Sequence, residues 1–242
     1  MMPAQKRPRL ERFLAAMNRR ILRKHFQRVH AGGMSHVWSL DRTRPIILYG
    51  NHSCWWDGLM EFFFSADVFH FDAYLMMEER QLHRYDFFRW IGAFSVNRES
   101  PRDALRSIQY AASLFERPGR VLWIYPQGVM RPNDLRPLGF YAGTARLLEL
   151  LHVPQVLPVA HRYEFLMEQR PEAFSLFGPP VDLADTSGRR EITAHLERTL
   201  AELLDQLRCS IASGRTEGFE TLLQGGASVN VRYDQIRGAG PT

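Results

Sequence analysis

Apolar residues near the start of the chain recur at helical steps. Leu10, Phe13, Leu14, Met17 and Ile21 lie three or four apart, Val29 continues the series, and arginines fill the other face. This spacing predicts an amphipathic helix over residues 9–30. Three later runs have a different character. Ile46-Ile47-Leu48-Tyr49 ends at Gly50, Val121-Leu122-Trp123-Ile124-Tyr125 stops at Pro126, and Val156-Leu157-Pro158-Val159-Ala160 follows Val153-Pro154. Short apolar runs rich in β-branched residues and bounded by Gly or Pro predict buried strands. Helical patterns separate them: Leu59–Phe64, about 102–117, about 139–152 and finally 189–212, where Ile192, Leu196, Leu200, Leu203, Leu204 and Leu207 make one face.

Buried strands alternating with helices predict an α/β layered fold, with a mostly parallel central sheet flanked by helices. The expected organisation is a basic amphipathic, membrane-associating segment over residues 1–35, an α/β domain over 36–212 and an irregular, Gly-rich and polar extension over 213–242. The length of 242 residues suits one sizeable domain with small appendages.

Charge sharpens this picture. Residues 1–30 hold nine Lys and Arg against one acid, Glu11, although the whole chain carries only +5. A basic helix on a mildly acidic body points to an anionic partner, a membrane surface in the first instance. A nucleic acid is not expected, because the segment lacks aromatic interleaving and any recognisable nucleic-acid-binding motif. No window approaches the roughly 18 uninterrupted apolar residues of a spanning helix, and no signal-peptide stretch is visible. The expected location is therefore cytoplasmic, peripheral on the inner face of the cell membrane. Two cysteines, Cys54 and Cys209, are too few for a disulfide scaffold or a Cys-rich zinc site.

Candidate chemistry gathers at Asn51-His52-Ser53-Cys54-Trp55-Trp56-Asp57, where the first buried strand gives way to a helix. Functional groups collect at such strand ends in α/β proteins. His52 can accept a proton near neutral pH, and an intervening turn brings Asp57 against one imidazole nitrogen. No Ser or Cys nucleophile has a recognisable setting, and Cys54 carries no signature of its own. A His-Asp pair without a nucleophile points to activation of a substrate hydroxyl, which then attacks an acyl carbonyl directly. The plainer alternative is a hydrogen-bonded structural histidine beside an N-capping aspartate.

The motif resembles the first block of the glycerolipid acyltransferases, N-H-x4-D, matched by Asn51, His52 and Asp57. The second block, G-x-x-F/I-x-x-R, resembles Gly92 to Arg98. Opposite the third, F-P-E-G-T-R, stands Tyr125-Pro126-Gln127-Gly128-Val129-Met130-Arg131. Val156-Leu157-Pro158-Val159 is similar to the fourth. The resemblance spans residues 40–165. It implies His52 as catalytic base and Asp57 as its partner, with an acyl-CoA or acyl-carrier-protein thioester as co-substrate and no cofactor or metal. It implies substrate binding by Arg98, Gln127, Gly128 and Arg131, with Gly128 admitting close backbone approach and offering an N–H to the developing oxyanion. Gln127 stands where the family has glutamate, and Val129-Met130 where it has Thr-Arg. Those departures turn the expected acceptor from lysophosphatidic acid toward another lysophospholipid, a glycolipid or a related lipid alcohol. The alternative they support is a non-catalytic lipid-binding protein on the same fold. The Trp55-Trp56 and Phe62-Phe63-Phe64 rings are expected mostly in the core.

Overall fold

The computed structural model describes residues 1–237. In chain order the elements are α1 (Pro8–His25), β1 (Arg28–Gly32), α2 (Met34–Trp38), β2 (Ile46–Gly50), α3 (Trp56–Phe63), β3 (Asp72–Glu78), α4 (Glu79–Arg84) and β4 (Ala93–Val96). They continue with α5 (Pro101–Leu114), β5 (Arg120–Ile124), α6 (Gly143–Leu148), β6 (Gln155–Glu164), β7 (Glu172–Phe177), α7 (Gly188–Ala212), β8 (Phe219–Gln224) and α8 (Val229–Arg237). The strands form one sheet in the order β4-β3-β5-β2-β6-β7-β1-β8. Only β6 with β7 and β1 with β8 run antiparallel, so the mostly parallel α/β fold expected from the sequence is observed.

The central strand shows why. All five residues of β2 are buried, because helices cover both faces of the sheet and water reaches neither. Its side chains alternate between two cores. Ile46 and Leu48 join Val121, Trp123 and Leu157 beneath Leu22, Phe26, Met60 and Phe64. Ile47 and Tyr49 face the opposite way, onto Leu122, Val156, Ile108 of α5, Leu147 of α6 and the leucines of α7. Parallel pairing matches Tyr49 with Ile124 on one side and Pro158 on the other. The carboxyl ends of three strands therefore converge where β2 runs out.

Two expectations need correction. The N-terminal segment is not separate from the domain. Helix α1 ends at His25, and residues 28–32 leave it to become β1, inside the sheet. Leu22, Phe26 and Val29 belong to the same core cluster as β2, and the Asn18 side chain donates to the Leu59 carbonyl at 2.8 Å. The apolar stripe is split: Leu22 packs inward, whereas Phe13 (64% exposed) and Met17 face solvent among Arg9, Arg12, Arg20 and Lys24. Residues 213–237 are likewise not an irregular extension. Strand β8 pairs antiparallel with β1 and α8 follows it. As an edge strand β8 buries only Leu223, so its residues lack the apolar run that marks a central strand. Residues 238–242 lie outside the described residues.

Integration of α1 makes a stability prediction. Leu22→Ala should lower the unfolding free energy by about 2–5 kcal/mol in urea titration, the usual cost of a core truncation. A loss below about 0.5 kcal/mol, ordinary for a surface substitution, would mean that α1 does not share the core.

Candidate active site

Backbone pairing of β2 ends at Gly50, and the next side chain continues it. Asn51 is buried, and its amide accepts the His161 N–H at 2.7 Å and donates to the His161 carbonyl at 3.0 Å. It also donates to Asn133 Oδ1 at 2.7 Å. A side chain that copies a strand's hydrogen bonds fixes where the following residue begins, and that residue is His52. The His52 backbone is held from both sides: its N–H donates to Gln127 Oε1 at 2.6 Å, and its carbonyl accepts from the Arg131 N–H at 2.8 Å. Its ring stacks on Tyr125, with centroids 4.3 Å apart and planes 13° from parallel.

Asp57 sits in the first turn of α3 with no solvent exposure. A buried carboxylate is tolerated only when donors surround it. Oδ2 meets His52 Nδ1 at 2.9 Å and accepts from the backbone N–H groups of Ser53 at 2.7 Å and Cys54 at 2.9 Å. Oδ1 accepts from the Tyr163 hydroxyl at 2.8 Å. Burial acts to raise the Asp57 carboxyl, but its hydrogen bond with His52, the nearby His161 and the backbone donors outweigh it, holding the group below the ordinary carboxylate value. An ionised carboxylate only accepts, so His52 Nδ1 carries the hydrogen and Nε2 has its lone pair available. Burial, then the Asp57 charge, pushes the Cys54 thiol up to about 11, which leaves it a poor nucleophile at neutral pH.

The other predicted residues divide. Arg98 and Gly128 are brought together: Gly128 has φ +64°, and a Cβ there would lie 2.6 Å from the Arg98 guanidinium. Arg98 pairs with Glu78 through Nη2 at 2.9 Å and lies over the Tyr141 ring. The Arg131 guanidinium packs against Gly139, φ +75°, where a Cβ would come within 2.7 Å. Among the described residues Arg131 makes no ion pair. Two expectations fail. The Gly128 N–H donates to the Tyr125 carbonyl at 2.9 Å, so it is committed to a turn and is no oxyanion donor. Gln127 is buried, its Oε1 taken by His52 and its Nε2 donating to the Leu138 carbonyl at 3.4 Å. It ties the His52 segment to the 127–138 loop and does not face a substrate. A neutral amide can donate and accept here, whereas a carboxylate could not donate to Leu138.

Several site residues escape sequence reasoning. Tyr163, Tyr125 and His161 approach His52 or Asp57 only through the fold, and Asn133 meets Asn51 and the His161 carbonyl. The one available signal was the position of His161 and Tyr163 just past the fourth apolar block. His161 is buried, with Nδ1 2.8 Å from Ser175 Oγ. Burial is the main cause that drives it from 6.5 down to about 4. Glu61, one turn after Asp57, is also buried, and burial pushes its carboxyl well above the usual range. The Tyr125 hydroxyl lies within electrostatic reach of Glu61, yet among the described residues neither it nor either Glu61 oxygen closes a hydrogen bond. Trp55 is exposed at the mouth, and Phe63 and Phe64 are core residues. No cluster of three or more His, Cys, Asp or Glu among the described residues could hold a metal ion.

A family model described as Acyltransferase matches residues 28–162, more than half of the sequence, and the chain belongs to that family. Among solved structures it is similar to the 1-acyl-sn-glycerophosphate (LPA) acyltransferase PlsC from Thermotoga maritima. The TM-score is 0.57 at 15% identity, over 82% of this chain and 80% of that one. At that identity the likeness speaks for the fold. A weaker overlay, on the Legionella pneumophila ATPase DotB, has a TM-score of 0.36 at 14% identity, over 84% of this chain and 63% of that one, and carries no argument. No curated protein matches the chain.

The buried His161 predicts an acid-labile fold. The unfolded chain takes a proton at this residue near 6.5, but the folded protein resists it until about 4. Stability should therefore be complete above 6.5 and fall as pH drops through that window, by up to about 3 kcal/mol. His161→Gln should flatten this slope in urea titrations at stepped pH; an unchanged slope would contradict the assignment. Asp57, held low, adds its own loss only below the ordinary carboxylate value, about 4.

Proposed function

We propose that this protein transfers an acyl group from an acyl-CoA or acyl-carrier-protein thioester to a hydroxyl of a lysophospholipid, glycolipid or related lipid at a membrane surface. The observation that carries this reading is the partly exposed His52 ring, 21% accessible, held through Nδ1 by a buried, ionised Asp57. The acceptor hydroxyl gives its proton to His52 Nε2 as its oxygen attacks the thioester carbonyl. Asp57 stabilises the imidazolium formed in that step. Collapse of the tetrahedral intermediate breaks the C–S bond, and the imidazolium returns the proton to the departing sulfur. No enzyme nucleophile is needed, which suits the unreactive Cys54 thiol.

Arg131, on the loop that bonds the His52 carbonyl, and Arg98, on the loop after β4 against Gly128, supply positive charge. Arg131 is the better candidate for an anionic group of acceptor or donor, because Arg98 already has Glu78. The outward face of α1 supports the membrane part of the reading: Phe13 and Met17 sit among four cations, the composition of a helix that rests in a lipid interface. No helix among the described residues is long and apolar enough to cross a membrane. Gln127 no longer favours a non-catalytic relative, since its role as a tie accounts for it.

Replacing His52 is the direct test. His52→Ala should lower thioester-dependent acylation of a lipid-alcohol panel by about 10²–10⁴-fold, with the circular dichroism of the folded protein retained at assay temperature and the melting temperature lowered by the loss of an Asp57 partner. Full activity in the variant would refute the mechanism.

A further inference from the structure

The β6–β7 connection begins with Phe165-Leu166-Met167, three consecutive exposed apolar residues, with Phe165 73% and Met167 90% exposed. A hairpin tip is ordinarily polar, and an exposed apolar run adds nothing to the core, so it calls for a partner. The base of this loop is tightly tied. Arg170 donates to the carbonyls of Arg23 and Lys24 at 3.3 and 3.4 Å and to that of Gly226, while the Gln27 N–H donates to Pro171. Helix α8 starts from the same loop: the Val229 N–H donates to Gln169 Oε1 at 3.4 Å and Asn230 Nδ2 to Glu168 Oε2 at 3.3 Å. Its Val229, Tyr233 and Ile236, spaced four and three apart on one face, are exposed, Ile236 by 85%. The tip and this helix thus bring two exposed apolar sets to one place.

Position and charge name the partner. Phe165 lies two residues past Tyr163, whose hydroxyl bonds Asp57, so the tip projects from the His52 end of the sheet. The carbonyls that anchor the loop belong to the end of α1, where Arg23, Lys24 and the following Arg28 are exposed. A protruding apolar tip beside a cluster of cations fits insertion between anionic lipid headgroups. We propose that the 165–167 tip and the apolar face of α8 form a second lipid-inserting surface, distinct from the outward face of α1, that seats the mouth of the active site on an anionic bilayer. The proposal rests on the membrane reading given above and deepens it.

The test is flotation of the full chain with phosphatidylcholine vesicles containing phosphatidylglycerol, paired with sedimentation velocity and with acyl transfer to a water-soluble short-chain acceptor. The exposed positions allow Phe165→Ser with Met167→Ser, and separately Ile236→Ser, without loss of fold. The double variant should partition into vesicles about tenfold less than the parent or worse, and Ile236→Ser should shift the same way, with transfer to the soluble acceptor unchanged. Wild-type partitioning in the double variant would overturn the proposal. So would a change confined to self-association, which would make the patch a contact between copies. Tip-dependent vesicle binding without acyl transfer to any acceptor would sustain this surface and defeat the catalytic reading instead.

Discussion

A carboxylate sealed from water has to be satisfied by donors, and Asp57 draws its donors from separate parts of the chain. The Ser53 and Cys54 amides come from the loop after β2, the imidazole from His52 and the hydroxyl from Tyr163 on β6. Each donor is thereby told where to be. Removing one partner of a buried charge costs several kcal/mol because the charge is left uncompensated, so this single group locks the loop, the first turn of α3 and the end of β6 against one another. The tyrosine stacked on His52 and the amide tie from Gln127 complete the hold. A histidine held in this way has its position and ring orientation fixed by the fold.

Local patterns made part of this legible. β2, β5 and β6 are apolar runs cut off by Gly or Pro, and α7 carries an unbroken leucine face, so both kinds of element can be read in sequence. β4 escaped because it is short, and β3 because most of its residues are only partly buried. β8 escaped as a polar edge strand. His52 and Asp57 were legible because five residues and one turn separate them. Tyr163 lies 106 residues from Asp57 and reaches it only through the register of β6. Nothing in a linear pattern carries that information.

Gln127 shows how a departure from a family motif can mislead. Read in sequence, it loses a charge and casts doubt on activity or substrate. In the fold it uses both ends of its amide, one toward the His52 N–H and one toward the Leu138 carbonyl, so its effect falls on the shape of the loop. The N-terminal helix misleads in a similar way, since its periodicity is compatible with docking on the domain or on lipid. The structure packs Leu22 into the core and leaves Phe13 exposed.

Asp57 holds His52 with its hydrogen on Nδ1 and leaves the Nε2 lone pair open. Long-range ¹⁵N–¹H correlation NMR of the neutral imidazole reads this directly. The expected result is a protonated Nδ1 and an unprotonated Nε2 in the wild-type protein, and a mixture of tautomers in Asp57→Asn. A wild-type His52 with its hydrogen on Nε2 would contradict the hold of Asp57 on the ring.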